Sequence, residues 1–259
     1  MRRRLRLGGR VLGGALILST TGFLFSLGLP LLAVAPRRHP AYRRWAFGWS
    51  CRALLALLGA RVEVHGRLPE APFLFVSNHI SYLDILVLGS RLPHVFLSKA
   101  EIKRWPGLGP LCRAAGTLFI DRAARRDIPM ILGQIEAVLD RGEGVIFFPE
   151  ATSSPGADLL PFRSPLLALP ARKSYPVHYG ALHYATPAGY PPAQTAIAWA
   201  GSIPFGPHVL ALLQLPAIAV RLDLGAEPLV ESDRKLLAEK LRDAIGGLFI
   251  PLAGEGEDS

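Results

Sequence analysis

The sequence predicts an α/β fold with a mixed, largely buried sheet flanked by helices, preceded by an N-terminal helical membrane segment. From Val62 onward, short runs rich in Phe, Val and Ile alternate with stretches whose apolar residues recur at helical spacing. Before Val62, a long apolar stretch lies between two groups of arginines. We therefore expect a membrane-anchoring segment over 1–61, a folded domain over 62–250 and a flexible tail over 251–259.

The N-terminal segment is apolar from Val11 to Ala35, a run of 25 residues without a charged side chain. A helix needs about 20 such residues to cross the hydrocarbon of a bilayer. Pro30 favours a kink or a break near the end of this helix. A signal peptide cut after Ala35 is the alternative. However, the run exceeds the roughly 7–15 apolar residues of such peptides, and Pro36 would follow the cut. We expect an anchor.

The net positive charge of the chain is confined to this segment. Eleven arginines precede the first acidic residue, Glu63, which leaves 18 of the 29 basic residues against all 20 acidic ones. The rest of the chain is therefore at −2, whereas a nucleic-acid-binding protein would carry its basic residues on a folded face. No nucleic-acid partner is expected. Arginines on both sides of the apolar run place it at the cytoplasmic face of the inner (plasma) membrane, as a helix that dips in and returns or lies in one leaflet.

Short strands and longer helices alternate in the folded domain. The strands are predicted from β-branched and aromatic runs flanked by glycine or proline, and the helices from apolar residues at helical spacing. The predicted strands are Phe73–Ser77, His94–Ser98, Thr117–Ile120, Gly144–Phe148, Tyr175–Tyr184, Gln194–Ala200 and Ala217–Leu224. The predicted helices are Tyr82–Ser90, Arg125–Arg141 and Glu231–Leu248.

A histidine and an aspartate follow the first of these strands, in the run Asn78-His79-Ile80-Ser81-Tyr82-Leu83-Asp84. Histidine acts as a general base near neutral pH when a carboxylate fixes its tautomer and stabilises the imidazolium. Within one helix the two side chains would diverge by about 140°. We therefore expect His79 in the loop and Asp84 in the first helical turn, with Ser81 as the N-cap. The alternative is that Asp84 only caps the helix and His79 only bonds to backbone.

Four ordered blocks between Val62 and Leu224 give this pair a context. They are Asn78–Asp84, Gly116–Arg122, Phe148–Thr152 and Tyr175–Val177. In this order they resemble the glycerolipid acyltransferase family, whose first block reads NHxxxxD. The resemblance implies an O-acyltransferase that moves a fatty acyl group from an acyl thioester to the free hydroxyl of a lysophospholipid, converting 1-acylglycerol-3-phosphate to phosphatidic acid.

The resemblance also implies roles for individual residues. His79 would deprotonate the acceptor hydroxyl, Asp84 would orient the imidazole, and Asn78 or backbone amides would stabilise the oxyanion. Arg122 would bind an acceptor phosphate, and Glu150 with Thr152 would contact the polar backbone of the acceptor. The expected substrate-binding residues are Asn78, Lys99, Arg122, Glu150, Ala151 and Thr152. No metal, no cofactor and no covalent enzyme intermediate are expected. The expected partners are membrane lipids and an acyl donor, either acyl-CoA or acyl carrier protein.

The third block departs from the family pattern, which has Gly-Thr-Arg after the glutamate, where this chain has Ala151-Thr152-Ser153. Alanine at a positive φ would cost about 1 kcal/mol, and Arg163 is the candidate replacement for the missing arginine. Ser153–Ser164, Ala198–Gly201 and Phe205–His208 resemble the lyso-ornithine lipid acyltransferase branch more closely. A lyso-ornithine lipid acceptor is therefore an alternative. A non-catalytic membrane lipid-binding protein is another, although such a protein needs no general base.

The remaining titratable residues are interpreted as structural. Cys51 and Cys112 match no metal-site or redox spacing and are expected to be free thiols. His178 and His183 lie five apart on a predicted strand, so they face opposite sides and cannot share a metal. Packing, interfacial or loop positions are expected for His39, His208, Tyr175, Tyr179, Tyr184 and Tyr190.

Overall fold

A mixed sheet lies at the centre of the structure, a computed structural model that describes residues 2–121, 127–252 and 254. Its strands within those residues are β1 Ala60–His65, β2 Leu74–Ser77, β3 Val95–Lys99, β4 Leu118–Ile120, β5 Val145–Phe147, β6 Val177–Ala185 and β7 Ile218–Leu224. Their order across the sheet is β1-β7-β6-β2-β5-β3-β4. Strands β6, β2, β5, β3 and β4 run parallel, whereas β7 is antiparallel to β6 and parallel to β1. The predicted α/β class with a mixed sheet is confirmed.

Helices cover both faces of the sheet. They are α1 Arg2–Val34, α2 His39–Leu58, α3 Leu83–Arg91, α4 Leu108–Ala114, α5 Ile128–Asp140, α6 Ala168–Lys173, α7 Ala193–Ala196, α8 Phe205–Leu212 and α9 Arg234–Gly246. Side chains alternate along a strand. Phe75 therefore packs on the face covered by α2, α3, α7 and α8, while Leu74 and Val76 pack on the face covered by α5, α6 and α9. Strand β2 is consequently buried along its whole length.

One predicted strand is wrong. Residues 194–196 of the predicted strand Gln194–Ala200 lie in the short helix α7, which begins after an extended Pro192. A short apolar run fits a buried helical turn as well as a strand, and β7 occupies the place beside β6. The other predicted strands agree with the structure to within two residues at each end. The structure adds β1, which was not predicted and whose residues are alternately half-buried and exposed.

Helices α1 and α2 form an antiparallel hairpin. Thr21 Oγ1 donates to Ser50 Oγ at 2.8 Å, and Tyr42 Oη donates to the Leu24 carbonyl at 2.8 Å. Gly28 permits this approach, because a Cβ there would lie 2.7 Å from the ring of Tyr42. The helix is continuous through Pro30, so the expected break is absent. A proline one turn before the helix end removes only one backbone hydrogen bond near a terminus.

Both ends of the hairpin are bonded to the folded domain. Near the start of α1, Arg10 donates to the carbonyls of Leu213, Leu215 and Pro216, just after α8. At the other end, Arg43 forms a salt bridge with the buried carboxylate of Glu143. These two arginines therefore bind protein groups, which corrects the expectation that the arginines on both sides of the apolar run face lipid headgroups.

The outward face of α1 is apolar. Residues 4–34 have the length and composition of a helix that crosses a membrane. Large apolar side chains are exposed along it, among them Leu5, Leu12, Leu16, Phe23 and Leu27. The predicted N-terminal helical segment is thus present, and it is a candidate membrane segment.

Candidate active site

The carboxyl ends of the parallel strands bring the predicted site residues to one edge of the sheet. His79 lies two residues after β2, Lys99 is the last residue of β3, and Glu150 lies three residues after β5. Strands β2, β5 and β3 are neighbours. In open α/β sheets, ligands bind in the crevice beyond such strand ends. Arg122, also predicted for this site, lies outside the described residues.

His79 and Asp84 meet in the geometry that their spacing predicts. His79 lies in the loop before α3, Asp84 lies in the first turn of α3, and His79 Nδ1 is 2.7 Å from Asp84 Oδ2. Asp84 is fully buried, whereas 17% of the His79 side chain is exposed. A carboxylate at Nδ1 holds the proton on that nitrogen, which leaves Nε2 as the proton acceptor.

The Asp84 carboxylate also organises the turn that carries it. Oδ2 accepts from the backbone N–H of Ile80 at 2.7 Å and of Ser81 at 3.0 Å. The predicted N-cap role of Ser81 is wrong, because α3 begins after Tyr82 without a side-chain cap. Among the described residues, the buried Ser81 hydroxyl has no hydrogen-bond partner. The Asp84 carboxylate therefore bonds to the backbone before the helix and to the imidazole of His79 at the same time.

Three further contacts fix the position of His79. Its ring stacks on Phe148, with centroids 3.9 Å apart and planes 9° from parallel. Its backbone N–H donates to Glu150 Oε1 at 2.8 Å, and its carbonyl accepts from the Ser154 N–H at 2.8 Å. Phe148, Glu150 and Ser154 all lie in or beside the third sequence block. The first and third blocks therefore form one unit.

The carboxylate of Glu150 faces the protein. It is 3% exposed, and its second oxygen accepts from the Leu160 N–H at 3.2 Å. Burial raises the pKa of Glu150 to about 7, against the lowering effect of the N–H groups of His79 and Leu160. Both oxygens accept from backbone amides, so Glu150 fixes the loop of His79 and the segment after the third block. The substrate contact expected of Glu150 stays a prediction.

The side chain of Asn78 is likewise hydrogen-bonded within the protein. It is 1% exposed, its Nδ2 donates to the Leu182 carbonyl at 2.9 Å, and its Oδ1 accepts from the Leu182 N–H at 2.7 Å. These two bonds attach the loop to β6. The substrate-binding and oxyanion roles expected of Asn78 stay predictions. The amides of His79, Ile80 and Ser81 are also occupied, so they are not free oxyanion donors.

The third block turns sharply at Ala151, whose φ is +65°. This is the left-handed region that favours glycine, so the predicted strain of about 1 kcal/mol applies. Thr152 is exposed, whereas the hydroxyl of Ser153 donates to the Trp199 carbonyl. Lys99 and Arg163 are exposed near this edge. The substrate roles of Lys99, Ala151 and Thr152 stay predictions.

Sequence reasoning missed two features of the site. Tyr184 was interpreted as packing at a sheet edge, but it is buried on the interior strand β6 and its Oη donates to Asp84 Oδ1 at 2.6 Å. The second feature is an aromatic cluster beside the loop of His79, formed by Tyr82, Trp105, Trp199 and Phe205. No local signal marks either feature, because both join residues that are distant in the chain.

His208 was expected in a loop or at an interface, but it is buried on α8. Its Nδ1 lies 2.9 Å from Tyr82 Oη, and burial lowers the pKa of the imidazole. It therefore buttresses the aromatic cluster. In the described part of the chain, no group of three or more His, Cys, Asp and Glu side chains is placed to hold a metal ion.

Comparisons with known proteins agree with this architecture. A family model described as Acyltransferase matches residues 61–179. The 1-acyl-sn-glycerol-3-phosphate acyltransferase of Neisseria meningitidis serogroup B is 36% identical, over 75% of this chain and 76% of that protein. The lyso-ornithine lipid O-acyltransferase of Rhizobium meliloti is 35% identical, over 79% of this chain and 73% of that protein. The lyso-ornithine lipid O-acyltransferase of Pseudomonas aeruginosa is 34% identical, over 86% of this chain and 88% of that protein.

A solved structure shares the fold. The crystal structure of the 1-acyl-sn-glycerophosphate acyltransferase PlsC from Thermotoga maritima superposes with a TM-score of 0.62 at 22% identity, over 95% of this chain and 97% of that one. With more than a third of residues identical over three quarters of both chains in the Neisseria relative, common descent is clear. The chain is therefore an acyltransferase, and it belongs to the family that contains these lysolipid acyltransferases.

Proposed function

We propose that this acyltransferase moves a fatty acyl group from an acyl thioester to the free hydroxyl of a lysolipid, with His79 as general base. The observation that carries the proposal is the 2.7 Å contact between His79 Nδ1 and the buried Asp84 carboxylate, beside a partly exposed imidazole. Such a pair is suited to accept a proton at Nε2. A lipid-binding protein would have no use for a base held in this way.

His79 and Asp84 are sufficient for the proton transfers of this reaction. His79 Nε2 removes the proton of the acceptor hydroxyl as the oxygen attacks the thioester carbon. The imidazolium is stabilised by Asp84, which accepts the Nδ1 hydrogen bond throughout. The tetrahedral intermediate then expels the thiolate, which takes the proton from Nε2, and the ester is released. No covalent bond to the enzyme is required.

The leading acceptor is 1-acylglycerol-3-phosphate, which would yield phosphatidic acid. Exposed cations near the carboxyl edge of the sheet support it, namely Lys99 and Arg163. Arg122 would add a guanidinium suited to a phosphate. The Neisseria relative carries this activity in its name.

A lyso-ornithine lipid is the second candidate acceptor. Where the family pattern has an arginine, Ser153 donates its hydroxyl to the Trp199 carbonyl, so this position binds no phosphate. The same bond joins the third block to the aromatic cluster, in the segment that resembles the lyso-ornithine lipid branch. The Rhizobium and Pseudomonas relatives carry that activity in their names.

We also propose that α1 lies within one leaflet on the cytoplasmic side of the membrane. A helix that crosses a bilayer has its ends on opposite sides. Here the α1–α2 hairpin binds the same folded domain at both of its ends, through Arg10 near the start of α1 and Arg43 near the start of α2, while the outward face of α1 carries exposed leucines. This arrangement satisfies the positive-inside preference for both arginine groups.

One assay tests the reaction and the acceptor together. Purified enzyme receives a labelled acyl group on coenzyme A or on acyl carrier protein, with lysophosphatidic acid or lyso-ornithine lipid as acceptor. His79→Ala should reduce turnover by about 10²–10⁴-fold, and His178→Ala on β6 is the matched control. Wild-type turnover by His79→Ala would remove the mechanism, and transfer to neither lysolipid would remove the proposed acceptors.

The membrane arrangement has its own test. Leu12→Glu and Leu16→Glu change exposed side chains of α1 that are 73% and 68% accessible, so they should reduce sedimentation with anionic vesicles without unfolding the protein. Leu236→Glu, on the partly exposed face of α9, is the control. Equal sedimentation of all three variants would contradict the proposed surface.

A further inference from the structure

A buried tyrosine completes the hydrogen-bond shell of Asp84. Tyr184 Oη lies 2.6 Å from Asp84 Oδ1, and both side chains are inaccessible to solvent. The other oxygen, Oδ2, accepts from His79 Nδ1 and from two backbone amides. We propose that Tyr184 is a positioning residue for acyl transfer, which holds Asp84 Oδ2 toward His79 and limits how strongly the carboxylate retains the imidazolium. The inference rests on the proposed role of His79 as general base.

The hydroxyl of Tyr184 is suited to donate permanently. Burial, followed by the neighbouring Asp84 carboxylate, raises the pKa of Tyr184 well above its ordinary value. The phenol therefore keeps its proton at every pH at which the enzyme works. Without this hydroxyl, Asp84 Oδ1 would lose its hydrogen bond from Tyr184, and that bond would no longer fix the orientation of the carboxylate.

Strand β6 makes the donor rigid. Tyr184 pairs with Val220 of β7 on one side of β6, and Leu182, two residues earlier, holds both polar atoms of Asn78. Leu182 binds Asn78 through its backbone N–H and carbonyl, whereas Tyr184 binds Asp84 through its side chain. Strand β6 thus holds the loop of His79 at two points, through Asn78 and through Asp84. The tyrosine itself is fully buried and does not touch substrate.

Tyr184→Phe should separate this role from packing, because phenylalanine keeps the ring. Loss of one hydrogen bond to a charged group should lower kcat by roughly 10-fold to 100-fold, with KM for both substrates unchanged. The acidic limb of the profile of kcat against pH should move to higher pH. Without the phenol, more negative charge remains on Asp84, so the protonated imidazole of His79 is held more tightly and the free base appears later.

Three controls define the test. Tyr175→Phe removes a hydroxyl that donates to the Pro72 carbonyl at 3.1 Å, at the other end of β6, and should leave the pH profile unchanged. Adding Tyr184→Phe to Asp84→Asn should cost less than about 2-fold beyond Asp84→Asn alone, because the phenol acts through the carboxylate. A fluorinated tyrosine at position 184, a stronger donor, should move the acidic limb to lower pH.

The outcomes are separable. If His79→Ala is inactive while Tyr184→Phe keeps the wild-type kcat and acidic limb, the proposal for Tyr184 fails and the proposed function stands. If His79→Ala is active, the base mechanism fails first. If Tyr184→Phe does not fold, the fluorinated tyrosine decides, and an unmoved acidic limb in that variant overturns the proposal.

Discussion

Asn78 lies in the first of the four sequence blocks, and its side chain is bonded to β6. Asn78→Ala would remove both hydrogen bonds to Leu182 and leave a buried N–H and a buried carbonyl without their partner. Each such loss costs about 1–3 kcal/mol. Their sum predicts a decrease of roughly 2–6 kcal/mol in the free energy of unfolding.

This loss should be visible as a shift of the melting temperature. A chain of this size loses about 2–4 °C for each kcal/mol, so Asn78→Ala should melt roughly 4–24 °C lower. Thermal unfolding of the detergent-solubilised protein, followed by near-ultraviolet circular dichroism, measures it. Below the melting transition, KM for the lysolipid should equal that of the wild type, because the side chain is buried.

Thr152→Ala is the matched control, since this exposed residue of the third block makes no comparable contact with β6. It should melt with the wild type. An Asn78→Ala variant that keeps the wild-type melting temperature but raises KM 10-fold or more would refute the reasoning. Such a result would support the predicted substrate-binding role of Asn78.

Three further results are expected. Ala151→Gly should relieve the strain of the positive φ and raise the unfolding free energy by about 1 kcal/mol, measured by thermal melting; an equal or lower value would contradict it. Because burial raises the pKa of Glu150 to about 7 from 4.5, the folded protein binds more protons in that window than the unfolded chain. Stability from this group should therefore fall as pH rises from about 4.5 to about 7, and Glu150→Gln should flatten that dependence in melting curves taken across pH. Arg43→Ala should leave the buried Glu143 carboxylate with only its longer contacts to Arg44 at 3.8 Å and Arg141 at 3.5 Å and lower the free energy of unfolding by about 2 kcal/mol, whereas Arg37→Ala, at an exposed position, should change melting little.

Several features of the site follow from local chemistry and were therefore predictable. The spacing of His79 and Asp84 excludes one regular helix, which forces a loop followed by a first helical turn, and the structure has this arrangement. At Ala151, where the family pattern has glycine, the sequence raised the possibility of a strained positive φ, and the structure has a φ of +65° there. Such inferences succeed because they involve residues a few positions apart.

Ser81 was assigned as a cap although α3 begins after Tyr82, and the acceptor of its amide, Asp84, lies only three residues away. The other errors have a common physical origin. Gln194–Ala200 was assigned as a strand although β7 pairs with β6, and this competing partner lies far along the chain, where the local sequence does not show it. Arg10 and Arg43 were placed at lipid headgroups for the same reason, because their protein partners lie far along the chain.

The α/β class, the apolar N-terminal helix and the pairing of His79 with Asp84 could be predicted from the amino-acid sequence, since periodicity, charge and short spacings are local properties. The surroundings of that pair depend on the fold. The order of the strands places β6 beside β2, so Leu182 meets Asn78 and Tyr184 meets Asp84 across about a hundred residues of chain. A buried polar group must find a partner wherever the fold supplies one, and that choice is made by packing.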